Sequence, residues 1–462
     1  MSNKLVGAAI AIFVIILLTV IVLFSLGRNS SKDSTKTTTT SKDKITLTVW
    51  RTFDDETTFT QAIQNYQQDH PNVTINYVKK DLADYEVQSV NALAAGTGPD
   101  IWSIQNESLT RHLGKLVPLP EDFFKTKRET RSNEELYKAT WSTVATKDNI
   151  VDHKVYGIPL YVDTLALYVN SNIWEAARSD YRKNNFNNPN FDDALFRRKP
   201  ATWNELLDEL PYLTKKDDKG NITQGGIALG TSANVTSSAD ILSLLMLQNS
   251  TKMVDEAQKS ARFNTFANDS SGKPIYPGTN ALDFYTSFAR SDKANYSWSK
   301  DMPNDLRAFI DGKVAIMVGY QYVGQVLKQQ APTLQYEVAP MPQVKGGTTT
   351  NYASYWTETV TNNSRNAQAA WEFLTWLGSH PNSYLRSAKR SSAMLPDPQN
   401  PITFDVYTDQ VASAQTWPKG NAPDKVNQVF RDMIDNVTLK GQPLQQTIDT
   451  AATAVTDLLQ KE

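Results

Sequence analysis

The chain has no cysteine among its 462 residues. That excludes disulfide frameworks, thiol nucleophiles, cysteine-ligated zinc, iron–sulfur clusters and anchors built on a lipidated cysteine. Histidine is nearly as scarce: His70, His112, His153 and His380 stand far apart, so the close pair of an HExxH zinc helix is missing and no metal is expected. No GxSxG elbow, Walker loop or GxGxxG follows a strand pattern, and Gly96-Thr97-Gly98 reads as a helix stop and turn. No cofactor is expected. Asp217, Asp218 and Gly220 begin like a calcium loop, but the series ends too soon, and a turn from a helix into a strand is the reading. A surplus of one charge is lacking too, since 47 Lys and Arg face 49 Asp and Glu. With no basic tract, nucleic acid is not an expected partner.

What is present is material for a large core: 40% of residues are hydrophobic, and Phe, Tyr and Trp number 17, 19 and 10. At about 150 residues per domain, the length allows roughly three domains, or two large lobes with an appendage.

One long apolar run exists. Leu5–Leu26 is 22 residues without a charge, bounded by Lys4 and Arg28. As a helix it spans about 33 Å, enough to cross a hydrocarbon core of about 30 Å. The alternative, a cleaved signal peptide, needs an apolar stretch of only about 7–15 residues and a small-x-small cleavage site, and neither fits. The run therefore reads as an N-terminal anchor (1–28), followed by a Ser/Thr/Lys-rich tether (29–44) with nothing to bury. Residues 45–462 carry 41 basic and 47 acidic side chains, a net charge of −6.

The remainder reads as βα units. Ile45–Trp50 alternates apolar and polar residues as a half-buried strand does. Asp54, Asp55 and Glu56 suit the following helix start, and Phe59, Ala62, Ile63 and Tyr66 repeat as an apolar stripe that should stop at His70-Pro71. Val73–Val78 is a strand; Asp84 opens a helix carrying Val87, Val90 and Leu93, stopped at Gly96; and IWSIQ, after Pro99-Asp100, is a third strand. The same grammar returns at Leu165–Asn170, Trp203–Lys215, Ile227–Leu229, Ser238–Leu247 and Asp305–Tyr320, with Arg178–Lys199 as an exposed excursion. Short connections of this kind predict an α/β fold with a parallel sheet in each half. Ligands in such sheets bind beyond the carboxyl ends of strands, here Arg51–Asp54 and Gln105–Glu107.

Aromatic residues sit beside polar ones at several strand ends: Trp50 to Asp54, Tyr161 to Asp163, Tyr320 to Tyr322, Tyr352 to Trp356, and Thr416-Trp417. Sugar rings offer apolar faces to stack and hydroxyls to bond, so this mixture suits carbohydrate. Trp102, Trp203, Trp371 and Trp376 lie within periodic elements and read as core. Asp54 and Asp163 are the best candidates for a glycosidase carboxylate pair, although nothing in their spacing shows acid and base roles.

At these residues the chain resembles the extracellular solute-binding proteins of ABC importers, in the large group that includes maltose-binding protein. The matching pieces are ITLTVWRTFDD, HPNVTINYV, ALAAGTGPDIW, VYGIPLYVDTLALYVNSNIW, PATWNELL, FIDGKVAIMVGY and AWEFLTWLGSHPNSYLRSAKRSSAMLP, in the family's order from residue 45 to about 400. The resemblance implies a two-lobed periplasmic-binding-protein fold with a hinge, and a solute held between the lobes. By analogy the first lobe is 45–162 plus 341–380 and the second 163–340 plus 381–462, with crossings near Tyr161–Asp163, Pro340–Pro342 and Gly378–Pro381.

Carried over by position, the family's binding loops fall on Arg51, Phe53, Asp54, Asn106, Glu107, Asp163 and Tyr320. Tyr355, Trp356 and Trp417 are added because aromatics often line such a cleft. The family often carries a lipid-anchoring Cys, which is absent here. The resulting expectation is a membrane-tethered, monomeric solute receptor outside the cytoplasm, performing no bond chemistry and delivering a sugar or oligosaccharide to an ABC permease. The rivals are an anchored glycoside hydrolase and a ligand-sensing receptor without transport.

Overall fold

Alternation along β1 (Ile45–Arg51) turns Leu47, Val49 and Arg51 inward, while Trp50 sits half-buried on the opposite face. The computed structural model that contains this strand describes residues 43–124, 130–188, 191–269, 271–395 and 405–461. The expected anchor Leu5–Leu26 and nearly all of the expected tether lie outside the described residues, among which no helix is long and apolar enough to cross a membrane. Lys44–Glu462 forms one compact unit.

Helix α1 (Glu56–Asp69) lays Phe59, Ala62 and Tyr66 against the core and ends at His70, ahead of Pro71. After β2 (Val73–Lys79), helix α2 (Tyr85–Ala94) buries Tyr85, Ser89 and Leu93 and leaves Val87 65% exposed. Of the expected Val87, Val90 and Leu93, Leu93 is buried and Val90 packs half-buried beside it, and only Val87 turns out, the large ring of Tyr85 taking the inward position at the helix start. Gly96 holds φ +71°, the left-handed conformation that ends α2. Strand β3 (Ile101–Gln105) follows, and then β4 (Ile158–Pro159), β5 (Asp163–Thr164) and β6 (Ala166–Asn170).

Helix α3 (Ser171–Asn185) is capped by Asn170, whose side chain accepts from the amides of Asn172 and Ile173. It buries Trp174, Ala177 and Tyr181, and Phe196 beyond it is 1% exposed. Within the expected exposed excursion over Arg178–Lys199, Tyr181 and Phe196 are buried, while most of the other described residues are exposed, so only these two widely spaced aromatics depart from the expectation. Helix α4 (Trp203–Leu213) leads to a hairpin of β7 (Lys215–Lys216) and β8 (Ile222–Ile227). Asp217 Oδ1 accepts from the amides of Lys219 (2.9 Å) and Asn221 (2.8 Å), so this turn joins two strands rather than a helix and a strand. Onward come α5 (Ser238–Gln248), β9 (Val314–Gly319), α6 (Tyr322–Gln330), β10 (Tyr336–Pro340), β11 (Asn351–Ser354) and β12 (Trp356–Val360). The chain closes with α7 (Ala367–Ser379), β13 (Ala414–Gln415), α8 (Pro423–Thr438) and α9 (Leu444–Gln460).

Two five-stranded sheets result, ordered β2-β1-β3-β12-β4 and β10-β6-β9-β8-β7. Both are mixed. In the first, β1 pairs in parallel with β2 and β3, but β12 runs antiparallel to β3 and β4. In the second, β8 and β9 are parallel while β6 is antiparallel to β9 and β10. The expected all-parallel sheets fail because β12 arrives from far along the chain instead of by a βα crossover, and antiparallel entry needs no such connection.

A third sheet, ordered β13-β11-β5, takes one strand from each of three passages of the chain. Each large sheet has its own hydrophobic core. Tyr384, Leu385 and Ala393, beyond Gly378–Pro381, still pack in the first, whereas Met341 and Tyr352 pack in the second.

Candidate functional site

A cleft of about 300 Å³ opens beside the three-stranded sheet. Loops after first-sheet strands bring Phe53 and Leu82 to it, Gln105 ends β3, and Trp356 begins β12. Tyr161, Asp163, Ser354 and Tyr355 come from the connecting segments and Arg390 from the loop after α7. Thr236, Ser237 and Asp240 at the start of α5, with Tyr320 and Tyr322 after β9, form the second-sheet side.

The aromatic wall is continuous. Phe53 is 40% exposed; its ring meets Trp356 edge-on at 5.5 Å and lies 6.4 Å from Tyr322, nearly parallel. Trp356 leans on Tyr85 at 5.7 Å. Opposite, Asp240 Oδ2 accepts the Tyr320 hydroxyl at 2.7 Å. Burial raises the Asp240 carboxyl above the usual range while Lys419 pulls it down. Asp163 Oδ1 accepts from the Gln321 amide at 2.7 Å, and its other oxygen lies 3.7 Å from Arg390 Nη1. Burial lifts the Asp163 carboxyl to about 6, against the opposing pull of Arg390 and the nearby amides.

Of the ten residues expected from the sequence, the cleft brings together Phe53, Asp163, Tyr320, Tyr355 and Trp356. Tyr355 is only 1% exposed and turns its hydroxyl away, to Asp148 at 2.9 Å.

The other five point elsewhere. Arg51 is 4% exposed and lies against the Phe59 ring, with its guanidinium donating to Asp54 at 2.7 Å and to Glu358. Asp54, 7% exposed, also accepts the Tyr161 hydroxyl at 2.7 Å, and these partners hold it below the ordinary carboxylate range although burial alone would raise it. Asp54 thus anchors Arg51 instead of capping α1, which lacks a side-chain cap. Asn106 donates to Asp148 at 2.9 Å and accepts from the Tyr355 amide. Glu107 accepts from Lys419 (2.6 Å) and Tyr352 (2.9 Å) beneath the cleft. Trp417, 4% exposed, packs on Phe430 and donates to Ser243 at 3.1 Å, within the second core.

Sequence reasoning named Tyr161 and Tyr322 only as aromatics at strand ends, and missed Thr236, Ser237, Asp240, Ser354 and Arg390 as lining groups. Position at the start of α5, next to a strand's carboxyl end, is the signal that could have found the first three. Nothing in the local sequence around Arg390 marks it. Among the described residues no cluster of three or more metal-ligating side chains occurs.

The pattern of the family described as bacterial extracellular solute-binding protein matches residues 52–383. Binding proteins of Brucella abortus and Brucella suis are 22% identical over 327 residues, covering 69% of this chain and 68% of theirs. The sugar-binding protein MalE from Xanthomonas citri superposes with a TM-score of 0.68 at 17% identity, over 90% of this chain and 98% of its own. The GacH receptor of Streptomyces glaucescens, solved unliganded and with acarbose, gives 0.66 at 16%, over 91% and 100%. At these identities the two structures share the fold, an α/β periplasmic-binding-protein architecture.

Proposed function

The chain belongs to the family of bacterial extracellular solute-binding proteins, and we propose that it captures a sugar or oligosaccharide in the cleft and delivers it to an ABC permease. The observation that carries this reading is the gathering of Phe53, Trp356 and Tyr322 with Asp240, Thr236, Asp163 and Arg390 around about 300 Å³. Rings stack on a sugar's apolar face while the polar groups bond its hydroxyls. The volume lies at the small end of ligand sites, roughly 300–1,000 Å³. Sugar cargo in MalE of Xanthomonas citri is consistent with it.

The proposed lobes are the two sheets with their cores, hinged at β5, β11 and β13. Residues 45–162 begin the first lobe and 165–340 the second; the return passes through β11 and the last crossing through β13. Closure about these strands would favour the ligand-bound form. No bond chemistry is proposed, because Asp54 is committed to Arg51 and Tyr161 and so does not pair with Asp163 as acid and base. We place the body outside the cytoplasm as a monomer, tethered by Leu5–Leu26.

Isothermal titration of the purified chain against a sugar panel, with small-angle scattering, tests this. The expected result is heat and compaction with at least one sugar. Neither heat nor compaction with any member would refute carbohydrate capture, and cleaved sugar after incubation would refute the absence of chemistry.

A further inference from the structure

Arg390 stands in the cleft wall with its side chain only 7% exposed, and its Nε and Nη1 have no hydrogen-bond partner among the described residues. Its contact with Asp163, at 3.7 Å, is longer than a hydrogen bond, while the opposite oxygen of that carboxylate is already taken by the Gln321 amide. The guanidinium carbon lies 5.5 Å from the centroid of the Tyr161 ring, within cation–π reach, a contact that uses neither Nε nor Nη1 as a hydrogen-bond donor. A buried guanidinium with unmade hydrogen bonds is costly, and such groups persist where a ligand completes them.

We infer that Arg390 is the specificity-determining donor of the cleft, giving hydrogen bonds to the oxygens of an uncharged, hydroxyl-bearing solute and not to an anion. This rests on the capture of carbohydrate set out above and names which carbohydrates are taken. The surrounding charges set the preference. Arg390 is offset by Asp163, and Arg51 behind Tyr161 by Asp54 and Glu358. Fully buried and outside the cleft lining, Lys419 pairs with Glu107 and lies 3.9 Å from Asp240. Three cations meet five carboxylates, so an anionic ligand finds no positive surplus to replace its hydration. A hydroxyl or ring oxygen needs none. Lysine could not substitute, since it lacks both the planar fork and the stacking on Tyr161.

The test titrates the full chain, wild type and the variants Arg390→Gln and Arg390→Lys, with three probes of equal length: a neutral oligosaccharide, one ending in a uronate and one ending in an amino sugar. Melting of each unliganded protein is recorded alongside. Wild type should bind the neutral probe tightest, and both variants should bind it about 10- to 100-fold more weakly, with melting temperatures within a few degrees of wild type. Unchanged affinity of the glutamine variant for the neutral probe would overturn the assignment while leaving sugar capture intact. Wild-type preference for a charged probe would overturn the uncharged specification. If no probe binds wild type, the carbohydrate reading falls and this inference with it. Should the glutamine variant fail to fold, the lysine variant, which keeps the charge, decides the outcome.

Discussion

The Phe53 and Tyr322 rings both line the cleft, with centroids 6.4 Å apart and planes 28° from parallel. One ring follows a first-sheet strand and the other a second-sheet strand, so the pair links the two sides of the cleft lining. Because Phe53 is 40% exposed, Phe53→Ala should leave the unliganded melting point within a few degrees of wild type and weaken sugar binding about tenfold. Calorimetry beside thermal melts checks this, and a large stability loss with intact binding would assign the ring to the core.

Trp356 is less free, since its ring also rests on Tyr85. Trp356→Ala should therefore weaken binding by a similar factor and lower the melting temperature by a few degrees, the signature of a residue shared between wall and core. Differential scanning calorimetry with and without sugar separates the two effects.

Arg51 is expected to behave in the opposite way. Its guanidinium joins Asp54 and Glu358 in a buried cluster, and Arg51→Met would leave both carboxylates without their cation. Breaking such a cluster costs about 3–5 kcal/mol. Urea unfolding should show that loss, and a change below about 1 kcal/mol would mean that the cluster adds little to the fold.

Trp417→Ala should likewise act on stability, by about 3–5 kcal/mol, because the indole fills the second core against Phe430. Urea melts of the unliganded variant measure this; weaker sugar binding with unchanged stability would contradict it.

Glu209 gives a pH prediction. Burial raises its carboxyl from 4.5 to about 8; one oxygen accepts from the Phe196 amide at 3.3 Å and the other has no hydrogen-bond partner among the described residues. A carboxyl raised on folding stabilises the folded state only while protonated, so its contribution is full below 4.5 and lost as the pH climbs to about 8. Relative to Glu209→Gln, which stays neutral, wild type should lose on the order of 2–4 kcal/mol between pH 5 and pH 9. Urea melts at the two pH values decide, and a constant difference would show that the carboxyl titrates normally.

The strands and helices nearest the N-terminus were legible because their periodicity is strong: β1, β2, β3 and α1 lie within a residue or two of their predicted bounds. Arg51 was legible in principle as well. Two residues after Val49 on an alternating strand, it must face inward with Leu47, and the inward register outweighs the usual exposure of arginine. The antiparallel entry of β12 could not be read, since it depends on where a strand about 250 residues downstream of β3 returns. Arg390 was missed for the same reason: it reaches the cleft through tertiary packing, with no local pattern that marks it as polar lining.

The sheet joining β5, β11 and β13 has a bearing on biogenesis. The first sheet is not built from one contiguous stretch of polypeptide, and β3 waits for β12 before its second edge is covered. During translation the amino-terminal half must linger unfinished until some 360 residues have left the ribosome. A premature stop upstream of residue 414 would remove β13 from the three-stranded sheet and strip Phe430, Ile434 and Ile448 from the second core.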